Sequence, residues 1–208
     1  MFEDVPSSID YHRMEEARHW AETTTPRRPW RADFFARFRD IIREESAERH
    51  SRVLELGSGP GFLSIDLLRS LPGIEYVGLD FSAAMHELAR ARLGPLGSRA
   101  RLIERNLREA TWTHGLGQFE CVVTNQAVHE LRHKRHASTL HAQVKDVLAP
   151  NGAYLVCDHY LGEGGMSNDQ LYMTVSEQRE ALVAAGFDSV EQVLLKGDLV
   201  LHLARCQR

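Results

Sequence analysis

Short, nearly continuous apolar runs alternate along this 208-residue chain with longer stretches whose apolar positions recur every three or four residues. The runs Val53–Leu56, Glu75–Asp80, Ala100–Glu104, Phe119–Thr124 and Ala153–Asp158 read as buried strands. Between them, Phe62, Ile65, Leu67 and Leu68 mark one helix, and a second begins near Ser82. Leu140, Val144, Val147 and Leu148 form the buried stripe of a third, which Pro150-Asn151-Gly152 is expected to end. Thr174-Val175-Ser176-Glu177 has the form of a capping box opening a helix through Ala185, with Gly186 as its terminator. Val190–Leu195 and Leu199–Ala204, joined by Gly197-Asp198, predict an antiparallel hairpin. Ahead of the first strand, a helix is expected from Ile9 to Trp20, broken by Thr23-Thr24-Thr25-Pro26. Another is expected from Pro29 to about Glu48, its stripe Phe34, Phe38, Ile41 and Ile42 turned to the sheet. Strands alternating with helices predict an α/β fold.

The chemistry concentrates where the first strand ends. Glu55-Leu56-Gly57-Ser58-Gly59-Pro60-Gly61 puts glycine at every second position between strand and helix, so a ligand can approach the main chain closely. The dinucleotide fingerprint G-x-G-x-x-G has its third glycine one residue later, and the P-loop needs a Lys that this chain lacks here. An acid two residues before the first glycine repels a pyrophosphate and suits a cation. A second acid, Asp80, ends the next strand, about 20 residues on, where Rossmann-type sheets bind a ribose. It could instead help cap the helix near Ser82.

Together these residues resemble the first motifs of the class I, Rossmann-like S-adenosylmethionine-dependent methyltransferases of small-molecule type. The likeness runs from about residue 50 to 206. It implies a mostly parallel seven-stranded sheet of order 3-2-1-4-5-7-6, helices on both faces, and an N-terminal helical cap. It also implies that Glu55, Gly57, Ser58, Gly59 and Gly61 meet the amino-acid end of S-adenosylmethionine, whose product is S-adenosylhomocysteine. Asp80 would take the ribose hydroxyls, Phe81 and Met85 the adenine face, and Asn106 with Leu107 the adenine edge; Asn125 completes the set. Asn106 stands where the family usually has Asp, and its amide carbonyl can accept the same hydrogen bond without the charge.

In many such enzymes a segment similar to Asn125-Gln126-Ala127-Val128-His129-Glu130-Leu131 lies under the transferring methyl. The Asn/Asp-Pro-Pro-aromatic signature of base amino methylation is absent. His129 and His159 are the candidate general bases, because imidazole titrates near neutrality. Tyr11, Trp20, Trp30, Gln126, His129, Asp158 and Tyr160 are the candidates to surround the acceptor. The Gly-rich stretch His159–Met166 and the N-terminal helices are the variable elements. His129-Glu130-Leu131-Arg132-His133 also matches the zinc motif H-E-x-x-H, but it falls at a strand-to-loop transition and no metal ligand set is assigned. A divalent ion on Asp158 with His129 or Glu130 is a lesser alternative.

With 43% apolar residues, the chain can form one globular unit, divided as a cap segment 1–49 and a methyltransferase domain 50–208. A net charge of −4 gives no general pull toward nucleic acid or anionic membrane. The basic stretches Arg27, Arg28, Arg31 and Arg132–Arg135 read as exposed surface. No apolar segment has the length of a membrane span, and Met1-Phe2-Glu3-Asp4 is no cationic signal region. Cys121, Cys157 and Cys206 fall in predicted strands without C-x-x-C spacing, as free thiols of a reducing cytoplasm would. The expected partner is a small-molecule acceptor, with monomer and homodimer both open. Two other functions fit the cofactor motif: methylation of protein or RNA, and non-catalytic binding by a regulatory protein.

Overall fold

The computed structural model describes residues 3–45 and 51–206. The predicted helix end near Glu48 and the 49/50 boundary lie outside the described residues. Two helices, α1 (Met14–Arg27) and α2 (Arg31–Glu45), precede β1 (Ser51–Leu56) and α3 (Phe62–Ser70). Then follow β2 (Ile74–Asp80), α4 (Ala83–Leu93), β3 (Ala100–Glu104), β4 (Phe119–Asn125) and α5 (Ala137–Val147). The chain closes with β5 (Leu148–His159), α6 (Val175–Ala184), β6 (Ser189–Lys196) and β7 (Leu199–Arg205).

The seven strands lie in the order β3-β2-β1-β4-β5-β7-β6. All pair in parallel except β7, which runs antiparallel to both β5 and β6. The apolar runs are continuous because both faces are covered, so successive residues enter opposite cores. Val53, Cys121, Val123, Leu155 and Cys157 join Phe34, Phe38, Ile41 and Ile42 of α2 and Leu63, Leu67 and Leu68 of α3. Leu54, Val77, Val122, Tyr154 and Val156 join Leu140 and Val144 of α5 and Leu182 of α6 on the other side. The capping box before α6 forms, with Thr174 and Glu177 each bonding the other's backbone N–H.

Three local expectations are corrected. The first helix does not run from Ile9 and break at the threonines; it starts at Met14 and continues through Thr23 and Pro26 to Arg27. The Thr23 hydroxyl donates to the His19 carbonyl, and Pro26 stands in the last turn, where little helix remains to be disrupted. Ala17, Ala21 and Thr24 form its buried face, and Ala17 packs with Ala84 and Met85 of α4. The helix before β5 ends at Val147 rather than at Pro150, and Asn151, with φ 62, turns within the strand. Cys206 lies just past β7, outside any strand, while Cys121 and Cys157 are buried; all three are free thiols. Among the described residues no helix is long and apolar enough to cross a membrane.

Candidate active site

The strand order reverses between β1 and β4, and open α/β sheets bind ligands at the carboxyl ends of the strands at such a point. A cleft of about 660 Å³ opens there. Its floor is the turn between β1 and α3. Gly57 (φ 69) is left-handed, and a Cβ on it would lie 2.4 Å from the Ala127 Cβ. Gly59 (φ 52) is left-handed too, but a Cβ there would meet nothing within 4 Å, so its open side faces the cleft. Gly61 does not line the cleft; it lies behind, where a Cβ would press on Ala89.

Two buried acids flank this turn. Glu55 is 2% exposed and accepts the Tyr76 hydroxyl at 2.5 Å. Burial, and Asp80 beyond it, outweigh that hydrogen bond and push the Glu55 carboxyl up to about 8. Asp80 accepts the Gly59 N–H at 2.8 Å with one oxygen and the Ser82 N–H at 2.9 Å with the other. Burial raises it to about 6 despite those bonds. Ser82 in turn caps α4, accepting from the Met85 N–H. Asp80 thus ties the glycine turn to the start of α4, and each of its oxygens keeps a further acceptor position. Glu55, Gly57, Ser58, Gly59, Asp80, Phe81, Met85, Asn106, Leu107 and Asn125 all line the same cleft. The Asn106 amide oxygen already takes the Arg108 N–H at 3.0 Å, leaving it one lone pair.

The opposite wall is built from side chains. His129, in a short 3₁₀ turn after β4, is clamped by Asp158: its backbone N–H donates at 2.9 Å and its Nδ1 lies at 2.6 Å. Its Nε2 is 3.4 Å from Glu130 Oε1. Burial disfavours the charged ring, but the two carboxylates prevail and raise His129 to about 10. The ring is therefore an imidazolium near neutrality. His159, 5.1 Å away between ring centres, has the opposite character. It ends β5, only 5% exposed, and burial, together with nearby His129, holds it below the usual histidine value. Its Nδ1 sits 2.9 Å from Asp198, and its Nε2 lies 3.1 Å from the Gln126 side-chain nitrogen. Asp198 orients the ring so that Nδ1 carries the proton and Nε2 the lone pair.

Of the candidates around the acceptor, Tyr11, Trp20, Gln126 and His129 line the cleft. Asp158 lies behind His129 rather than in the wall. Trp30 is turned away, its ring against Gly197 and its Nε1 donating to Asp198 at 3.1 Å. Tyr160 also points elsewhere, its hydroxyl donating to the Gly197 carbonyl at 3.2 Å. The Gly-rich loop folds on itself around Tyr160, and the residues reaching the cleft from that side are Leu171 and Tyr172. The H-E-x-x-H segment is not one helical face: Arg132, at φ 69, separates two short 3₁₀ turns.

The basic stretches are not simple surface. Arg28 donates to Asp198 at 3.1 Å and also lines the cleft. Arg31 is 6% exposed and lines the cleft, with its guanidinium over the rings of Phe62 and Phe35. Burial and then neighbouring Arg28 lower it to about 10. Arg132 holds the N-terminal strand of chain by the Val5 and Pro6 carbonyls. Tyr11 completes that strap, its carbonyl accepting from Ser82 at 2.5 Å and its hydroxyl donating to Glu130 at 3.2 Å. Arg28, Arg31, Tyr172 and Asp198 carry no motif; only their proximity in the fold identifies them.

Residues 53–152 match a family model described as a methyltransferase domain. A malonyl-[acyl-carrier protein] O-methyltransferase of Legionella pneumophila is 36% identical over 78 residues, 38% of this chain and 26% of that protein. A trans-aconitate 2-methyltransferase of Methylobacterium radiotolerans is 36% identical over 92 residues, 40% of this chain and 33% of that protein. The chain thus spans about a quarter to a third of the length of these curated relatives. Among solved structures, the CurJ carbon methyltransferase superposes with a TM-score of 0.70 at 14% identity, over 84% of this chain and 54% of that one.

Proposed function

We propose that this chain, with its methyltransferase-domain match and its strand order, is a class I, Rossmann-like methyltransferase that transfers a methyl group from S-adenosylmethionine to a nucleophilic oxygen or nitrogen of a small-molecule acceptor, by in-line displacement. The single observation carrying this reading is one cleft that joins a cation-suited glycine turn to a pair of histidines of opposite protonation. The two relatives act, by their names, on malonyl-[acyl-carrier protein], by O-methylation, and on trans-aconitate; both names contain an acidic group, which supports an acidic acceptor here.

The residues fit the cofactor. Glu55 and Asp80 present carboxyl groups to a cationic nucleoside with a diol, Gly59 leaves room, and among the described residues the buried Asn125 Oδ1 has no hydrogen-bond partner. When bound, the sulfonium supplies an already electrophilic methyl. The chain's own residues then align the acceptor and exclude water, and orientation of this kind is worth roughly 7–11 kcal/mol in favourable cases. For a hydroxyl or amine that keeps its proton, His159 Nε2 accepts that proton in place of its hydrogen bond from the Gln126 amide, with Asp198 holding the ring as a positioning residue. A base of this kind contributes about 10²–10⁴-fold. His129 keeps its proton near neutrality and so acts as a charged donor that steadies an anionic acceptor. In this reading residues 1–49 form the cap, with Tyr11 and Trp20 in the wall, and residues 50–208 form the cofactor-binding domain. The walls supplied by the cap suit a small molecule better than a macromolecular surface.

Calorimetry with S-adenosylhomocysteine tests the cofactor, and a radiolabelled-methyl assay of fractionated metabolites tests the reaction. Absence of nucleoside binding by the wild-type protein would overturn the reading. Label entering only protein or RNA would replace the acceptor class. Binding without transfer to any fraction would make the protein a cofactor-responsive regulator.

A further inference from the structure

Arg31 poses an electrostatic problem. Its guanidinium is nearly removed from water, yet among the described residues no carboxylate lies within salt-bridge distance and its Nε has no hydrogen-bond partner. Buried charges are ordinarily paired, because an uncompensated one is strongly destabilising. What surrounds Arg31 is aromatic: Phe62 at 5.1 Å and Phe35 at 5.8 Å from the ring centres. Those faces ease the desolvation of a planar cation without neutralising it. The cleft wall that includes Arg31 also includes Glu55, an acid near enough to interact electrostatically but not to form an ion pair. One wall therefore offers a carboxyl group and a guanidinium held apart; an arriving ammonium favours the ionised carboxyl, and the pair then matches a zwitterionic α-amino acid.

Resting on the cofactor reading above, we propose that Arg31 is the carboxylate receptor of this cleft, taking the α-carboxylate of a ligand whose ammonium lies toward Glu55. The planar fork of a guanidinium matches a carboxylate in two parallel hydrogen bonds. Burial of Arg31 before the ligand arrives means its geometry is already set, and binding supplies the missing counter-charge. Arg28 is committed to Asp198, whereas the buried Arg31 has no ion-pair partner among the described residues and keeps its donors for a ligand.

The test compares two nucleosides by calorimetry on the wild-type, Arg31→Gln and Arg31→Lys proteins. S-adenosylhomocysteine carries the amino-acid end; 5′-deoxy-5′-methylthioadenosine has the same adenosine and thioether without it. The expected result is a loss of about 10–100-fold in S-adenosylhomocysteine affinity for Arg31→Gln, a smaller loss for Arg31→Lys, and no change for methylthioadenosine. The ligand-free melting temperature of Arg31→Gln should hold or rise, since an unpaired buried charge has gone. If S-adenosylhomocysteine ignores the substitution while malonate or citrate stabilises the nucleoside-bound wild type and not Arg31→Gln, the receptor stands and its carboxylate is the acceptor's. If neither probe distinguishes the variants, or both nucleosides weaken together with a lowered melting temperature, the proposal is overturned and Arg31 is structural. A wild type that binds neither nucleoside would bring down the cofactor reading itself, and the assignment with it.

Discussion

The two halves of the cleft are made in different ways. The half proposed for the cofactor is made largely of main chain: a turn over positions 57–61, a strand end at Asp80, and the first turn of α4, all within a few dozen residues of sequence. The half proposed for the acceptor is made of side chains that meet across long stretches of chain. His129 pairs with Asp158, His159 with Asp198, and Asp198 with Arg28 and Trp30. The difference teaches where change is tolerated. A backbone cradle admits almost no substitution but depends on few neighbours, whereas a side-chain cluster can be rebuilt one residue at a time and fails through its partners.

The sharpest way to break that contrast is Gly59→Arg. A Cβ there meets nothing, so the fold should survive with about 1–2 kcal/mol of left-handed strain, while the side chain fills the cleft. S-adenosylhomocysteine binding by calorimetry should fall at least about 100-fold, some 2.7 kcal/mol. Retained binding would remove the turn from the cofactor site.

Next in size is Asp198→Asn, which strikes the acceptor half alone. It removes the counter-charge of Arg28 and the group that fixes the His159 ring. Once an acceptor is in hand, kcat for a protonated hydroxyl or amine should drop about 10–100-fold, within the range a positioned base supplies. S-adenosylhomocysteine affinity should stay within about 3-fold, under 1 kcal/mol. Equal losses in both would show that the two halves are not separable.

The pH dependence sharpens the same division. With His159 as base, its value below 6.5 places the acid limb of kcat below that pH, and the rate is flat above it. With His129 as base, the rate would keep climbing toward pH 10. For stability the signs follow from where each proton is held. Glu55 has a folded value near 8 against 4.5 unfolded, so stability falls as pH rises from about 4.5 through 8. The slope is at most about 1.4 kcal/mol per pH unit. Urea titrations of Glu55→Gln should lack that decline, and a cationic ligand should bind wild type more tightly as pH climbs through 8. His129, also raised, contributes stability present below about 6.5 and lost as pH passes through 10.

The smallest effect is a control outside both halves. Thr174→Ala removes the capping box of α6 and should cost about 1 kcal/mol in urea unfolding, leaving nucleoside affinity unchanged.

Much of the scaffold was legible in the residues alone. The continuous apolar runs placed the central strands, because a strand buried on both faces has no polar side to show, and the Gly197-Asp198 turn placed the closing hairpin. The glycines at 57 and 59 and the acids at 55 and 80 marked the half of the cleft proposed for the cofactor, while Gly61 lies behind it, since a backbone cradle depends on local conformation and conformation is a local property. The acceptor half left fainter traces. His129 and His159 could be named, but the carboxylates that set one ring charged and the other neutral belong to separate strands and turns. Arg31 read as surface and is buried, Trp30 read as a cover and packs on a turn, and Pro26 read as a break and ends a helix.

By itself, then, the sequence determined the order of elements along the chain and the turn that floors the crevice, because each follows from period and local dihedral preference; the reversal of strands was expected only from the family resemblance. The tertiary structure alone decided the burial of Arg31, the convergence of Arg28, Trp30 and His159 on Asp198, and the opposite protonation of two histidines. Charge and solvation depend on what lies within a few ångströms in space, and only folding brings those neighbours together.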